Sequence, residues 1–464
     1  MGLAGTLAEV VFNLNYENLS EEVVSNAKLH ILDGFGVGLH GSTLRPLFDP
    51  LIKILKEWGG NGTASVFGEK LGFPARYAAF LNSIIITASA YQETHRASIG
   101  HPYSPVMSAG LAVGEEMAAK GKDFIAAVVV GYEVFVRIAA AVNPSLLSRG
   151  IQTTGAIGPF GAAVAYGKLI GLNKDQMKDA IAHAANLGGG ALIEAHCARP
   201  YFAIQVGTNV EKGILAALLA KEGVVGCDTN LEGGSVNEKG FLQAYSDEYD
   251  VNIITEGLGE RLGIQDTGFS FYLVASFSRT PIDATLTLIQ ENGIGVKDIK
   301  SIRVKLTKTL YNFTQRKVFT AKQSAREAYY YIPFHIALVL LKGGVESEMY
   351  TDENLNDPEI RRLMEKVEFI EDPKLDEEFA KTQAVTTVIV ELTTNDGNTY
   401  IKKLSHWKGD PENPATKEEV EDKFRRLASR VIKPREVEKL MDLIDNLETV
   451  NNIQSLGELI RGPR

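Results

Sequence analysis

A chain of 464 residues, 45% of them hydrophobic and 23% charged, has the composition of an ordinary globular protein with two or three domains, or one helical body with an insertion. Its formal net charge of −10 excludes nucleic acid as the expected partner, because phosphate binding needs a basic face. Two cysteines, Cys197 and Cys227, exclude a disulfide framework and point to a reducing, cytoplasmic setting.

Residues 1–20 carry no basic region ahead of an apolar core, so no signal peptide is expected. Ser20 followed by Glu21 and Glu22 starts a helix, with a capping hydroxyl and acids where the helix dipole favours them. It runs on to about Gly41, and His30 and His40 inside it read as packing residues. Leu47 to Trp58 is a second helix, ended by Gly59-Gly60, and 63–68 is short and extended. Ala75 to Ile86 is helical and opens into a first polar link holding Gln92, Glu93, Thr94, His95, Arg96, His101 and Tyr103. Helix resumes at Ser104-Pro105. Lys122 to Val142 is long and apolar, but Glu133 and Arg137 interrupt it at i, i+4 as an expected ion pair, so no membrane span is assigned.

Arg149 to Gly155 forms a second polar link, and an Ala/Gly-rich helix follows. Asn173 to Gln176 starts the next helix. Residues 191–207 form a third link with Glu194, His196, Cys197, Arg199 and Tyr201, followed by another small-residue helix. Polar links between small-residue helices predict a bundle whose loops converge at one end. After about Gly263 the pattern changes. Residues 299–308 and 384–404 alternate apolar with polar, and Asn395-Asp396-Gly397-Asn398 is a hairpin turn signal. The expected fold is mostly α, with helices over 1–265, a smaller α+β domain over 266–404 and further helices over 405–464.

Residues 29–42 (LHILDGFGVGLHGS), 75–83, 155–176, 207–224, the LEGG at 231–234 and GDPENPATKEEVEDKFRRLA at 409–428 together resemble the MmgE/PrpD family, in its order and over most of the chain. The resemblance implies an all-helical large domain to which the C-terminal helices return, the smaller α+β part forming a lid, and a homodimer without metal or organic cofactor. It also implies a lyase or isomerase acting on a small di- or tricarboxylate by proton transfer next to a carboxylate. Family activities include 2-methylcitrate dehydration, cis-aconitate decarboxylation and iminodisuccinate epimerisation. His101-Pro102, Tyr272 and Asp283 fit the family pattern. Ala90, Gln92 and Glu93 replace its Asp-rich stretch, Gln152 replaces a histidine, and Ser270 and Arg279 replace a lysine and a histidine. Arg199 is displaced from a lysine position.

A polycarboxylate needs cations and amide donors, with an acid/base of suitable pKa. His101, His95 and Tyr103 are therefore the expected catalytic groups. Arg96, Thr94, Gln152, Arg199, Tyr201, Tyr272 and Arg279 are the expected substrate-binding groups. The replaced positions leave a second reading open, a catalytically silent member that binds a carboxylate or a protein partner. Neither Glu93, His95 and His101 nor Glu194, His196 and Cys197 have the spacing of a zinc site, and no metal is expected.

Overall fold

The computed structural model describes residues 2–192, 202–234, 237–315, 325–382 and 386–462. It is mostly α-helical with a smaller α+β part, and its contacts divide it into two compact units. The first takes in the described residues up to Thr267 and those from Thr416 onward. The second is Gly268–Ala415.

The first unit contains α1 (Leu3–Asn13), α2 (Glu21–Gly41), α3 (Arg45–Glu57), α4 (Ala75–Ser89), α5 (Tyr103–Glu116), α6 (Gly121–Val142), α7 (Ser145–Ser148), α8 (Thr153–Leu169), α9 (Lys174–Leu187), α10 (Phe202–Lys221) and, from the C-terminal part, α11 (Lys417–Ala428). Local chemistry starts several of them. Val23 N–H donates to Ser20 Oγ at the head of α2, and Asn173 and Thr416 form capping boxes at α9 and α11. α8 lies at the centre, packed against α5, α6, α9 and α10, while α2 packs against α4 and α11. Small residues set these distances. A Cβ at Gly213 would lie 2.5 Å from the Pro159 carbonyl oxygen, so α8 and α10 approach closer there than any other residue permits.

The expectation that α6 is too interrupted to resemble a membrane span needs correction. By length and composition it could cross a membrane, and it is instead almost entirely buried inside the first unit. Glu133 and Arg137 do pair, and Glu133 also accepts from Gly263 N–H at 2.7 Å. The unit is not purely helical either, because the first link contains the two-residue strand Thr94–His95.

The second unit holds a four-stranded sheet of β1 (Ile299–Leu306), β2 (Val367–Glu371), β3 (Val388–Thr394) and β4 (Thr399–Leu404), in the order β2-β1-β3-β4. β1 runs parallel to β2 (Ile302 opposite Val367) and antiparallel to β3 (Val304 opposite Val390). β3 and β4 form the expected hairpin, with Gly397 at φ +92° in its turn. Val388, Val390 and Leu392 alternate into the core, where helix Ser276–Asn292 packs on β3 and β4. This unit runs on past residue 404 to Ala415. Trp407 is buried, its Nε1–H donates to Phe269 O at 3.0 Å, and Phe269 N–H donates to Gly409 O at 2.8 Å.

Candidate active site

Ala90 closes α4 in the left-handed conformation, at φ +62°, and turns the chain into the first link. A tight antiparallel bridge between His95 and Gly100 then folds the link back on itself. Glu93 anchors its near end. The Glu93 side chain is fully buried, and Tyr103 N–H, the first donor of α5, reaches its Oε1 at 2.6 Å. Burial pushes the carboxyl above its usual range, against the pull of its hydrogen-bond donors.

His101 is half-buried two residues before α5. Its backbone N–H donates to Thr154 Oγ1 at 3.2 Å, and its Nδ1 lies 2.5 Å from the Glu93 carbonyl oxygen. A carbonyl only accepts, so Nδ1 carries the hydrogen and the neutral ring keeps its basic lone pair on Nε2. His95 has the opposite arrangement. Ser98 N–H donates to its Nδ1 at 3.2 Å, and burial pushes its pKa down to about 4. It is a neutral ring at pH 7 with its hydrogen on Nε2. Thr94 is buried with its hydroxyl 3.5 Å from His101 Nδ1, and Arg96 is half-buried beside it in the link.

Tyr103, the third expected catalytic group, opens α5. It is fully buried, its hydroxyl donates to Tyr91 O at 3.3 Å, and it accepts from Glu93 N–H at 3.3 Å. Both bonds tie its hydroxyl to the backbone of the link.

The second link adjoins the first. Asn143 Nδ2 donates to Ser98 O at 2.8 Å and to Thr153 Oγ1 at 3.3 Å. Gln152 is the N-cap of α8, its Oε1 accepting from Gly155 N–H, and its own N–H donates to Gly190 O at 3.0 Å. Leu192 N–H donates to Gly150 O at 2.8 Å, so the start of the third link lies along the second. Arg199 and Tyr201, with Glu194, His196 and Cys197, lie outside the described residues. The N-termini of α5 and α8 both meet at His101, an arrangement that favours negative charge.

A buried polar layer lies beneath the link, and sequence reading assigned it no function. Glu93 Oε2 faces His30 Nδ1 at 2.7 Å and accepts from Tyr132 OH at 2.8 Å. Asp33 pairs with Lys423 at 2.6 Å, and Lys423 Nζ also donates to Tyr91 O at 3.3 Å. The one available signal was a charged or ionisable side chain on an otherwise apolar helix face.

In the second unit, Tyr272 OH donates to Asp283 Oδ1 at 2.8 Å, and Lys408 N–H donates to Asp283 Oδ2 at 2.7 Å. Burial pushes both Tyr272 and Asp283 up. Arg279 is only 2% exposed, its guanidinium 5.2 Å from the Trp407 ring. His406, Asp410 and Glu412 place their donor atoms within 4.8 Å of one another. The 2.9 Å bond from His406 Nδ1 to Asp410 already accounts for that grouping. The first unit also has a cavity of about 510 Å³ near Lys28, Lys417 and Met441, and none of its lining residues belongs to the polar links.

The family models for the MmgE/PrpD N-terminal domain and the MmgE/PrpD C-terminal domain match residues 5–254 and 272–449. The cis-aconitate decarboxylase of Homo sapiens is 26% identical over 472 residues, covering 99% of this chain and 94% of its own length. That of Aspergillus terreus is 26% identical over 483 residues, covering 100% and 96%. The mitochondrial 2-methylcitrate dehydratase of Yarrowia lipolytica is 24% identical over 415 residues, covering 82% and 75%.

Proposed function

Because this chain belongs to the MmgE/PrpD family, we propose that it is a lyase acting on a small di- or tricarboxylate by proton transfer at carbon next to a carboxylate. The names of its relatives, a decarboxylase and a dehydratase, support that class. The observation that carries the reading is the hydrogen bond from His101 Nδ1 to the Glu93 carbonyl, which leaves Nε2 as the ring's proton acceptor.

The N-termini of α5 and α8 and the Arg96 guanidinium supply positive potential for substrate carboxylates. In an elimination, His101 Nε2 takes the proton from carbon and hydroxide leaves the neighbouring carbon. In a decarboxylation, the bond to the carboxylate breaks, its electron pair passes to carbon and carbon dioxide leaves. For that reaction His101 starts as imidazolium, gives its Nε2 proton to the carbon, and is reprotonated from water before the next turnover. Gln152 offers an amide and no titratable proton, which favours one-base chemistry: decarboxylation with reprotonation, or epimerisation. The reading needs neither metal nor organic cofactor, and it takes the enzyme to be a cytoplasmic homodimer.

The test is incubation with cis-aconitate, 2-methylcitrate and related acids in deuterated water, following carbon dioxide release and deuterium at carbon. His101→Asn is expected to lower turnover by at least about a hundredfold. No turnover and no deuterium with any acid in the panel would overturn the proposal. Carboxylate binding without turnover, unaffected by His101→Asn, would point to a silent binder.

A further inference from the structure

We infer that His30 is a positioning residue for His101 and acts through Glu93, an inference that rests on reading His101 as the proton carrier. His30 is fully buried in the middle of α2. Its Nδ1 faces Glu93 Oε2 at 2.7 Å, and Tyr132 on α6 donates to the same oxygen at 2.8 Å. The other carboxyl oxygen accepts from Tyr103 N–H at 2.6 Å. Glu93 N–H donates to Tyr103 OH at 3.3 Å, and Glu93 O accepts from His101 Nδ1. Residue 93 is thus gripped at its carboxyl, its N–H and its carbonyl.

The physical chain is short. An imidazole's two neutral tautomers are close in energy, so the acceptor facing Nδ1 decides which one forms. Here that acceptor is a backbone carbonyl on a loop, and a loop holds such a group still only if its side chains are pinned. Glu93 is pinned because a buried carboxyl must keep its hydrogen-bond partners. Tyr132 on α6 is one such partner, and His30 on α2 faces the same oxygen at 2.7 Å. Removing His30 leaves the carboxyl under-satisfied, residue 93 shifts, and the Nδ1 acceptor goes with it. Hydrogen then distributes over both ring nitrogens, and a fraction of the enzyme presents N–H where a base is needed.

The experiment uses the full chain labelled with ¹⁵N-histidine, with His101 assigned from the signal missing in His101→Gln. In the wild type, His101 should be a single tautomer protonated at Nδ1. His30→Leu should show a mixture of tautomers. Its kcat should fall about tenfold with KM little changed, as outer-shell substitutions do. His30→Asn places an amide N–H where Nδ1 was and should restore both readouts. A folded His30→Leu with the wild-type tautomer overturns the inference. Equal losses in His30→Leu and His30→Asn also overturn it, since packing alone would then be at stake. Should His30→Leu fail to fold, Tyr132→Phe removes one donor to Glu93 and keeps the ring. It should shift the tautomer in the same direction, and an unchanged signal overturns the inference. The spectrum needs no substrate. A wild type with one tautomer and no turnover would sink the proposed reaction and leave the positioning intact.

Discussion

Lys423 and Asp33 show how much one residue can carry. Their charged atoms lie 2.6 Å apart with both side chains out of solvent. Removing one partner leaves the other charge buried and uncompensated, so Lys423→Met should cost about 3–5 kcal/mol in a urea titration. The double change Asp33→Leu with Lys423→Met removes both charges and should recover most of that loss. A single change within 1 kcal/mol of wild type, on the scale of an exposed pair, would show that water reaches the site. By contrast, the half-exposed pair between Lys174 and Glu9 contributes little, because solvent screens it. The same distinction separates the histidines. Burial pushes His40 down to about 3 and His95 down to about 4, so both rings are neutral at pH 7.

Helix α5 is tied at both ends by buried carboxyls, Glu93 at its start and Glu115 near its finish. Glu115 accepts from Ser65 N–H and Ser65 Oγ, each at 2.7 Å, and Gln454 Nε2 donates to Glu115 O at 2.9 Å. Burial outweighs the Ser65 donors and pushes the pKa from 4.5 up to about 7. The folded state therefore holds this proton more tightly than the unfolded state does. The stabilisation is fully present below about pH 4.5 and is lost as pH rises through about 7, amounting to roughly 3 kcal/mol. Glu115→Gln keeps an acceptor for Ser65 N–H and cannot titrate. Relative to wild type it should gain stability between pH 5 and pH 8, read from urea midpoints at the two values. Parallel pH curves for the two proteins would refute the assignment.

At the scale of the whole molecule, the first unit is assembled from distant parts of the chain, and among the described residues the second is the segment Gly268–Ala415. In the first, α11 returns to α2, bringing Lys423 to Asp33 and Phe424 to the groove at Gly36, where a Cβ would lie 3.1 Å from the Phe424 ring. A chain ending at Ala415 should lose the cooperative helical unfolding of the first unit by circular dichroism, while a 268–415 fragment, with its own sheet and core, keeps a cooperative transition. Helical signal with a wild-type transition in the shortened chain would show that α11 is dispensable. Much of this architecture was legible from residue order. The helix starts at Ser20 and Asn173, the turn at Asn395–Asn398 and the alternation in β1 and β3 act on their immediate neighbours. The candidate site was legible only as polar links, with His101, Arg96 and Gln152 on them. Nothing local distinguishes the tautomer of His101 from that of His95, or marks Tyr103 as fully buried. Helix starts, strand alternation and turns follow from rotations and hydrogen bonds within a few residues, so the sequence alone determined them. Which ionisable groups are paired, neutral or poised depends on how deeply distant segments bury one another, so only the tertiary structure decided that His30 meets Glu93 and that Glu93 meets His101.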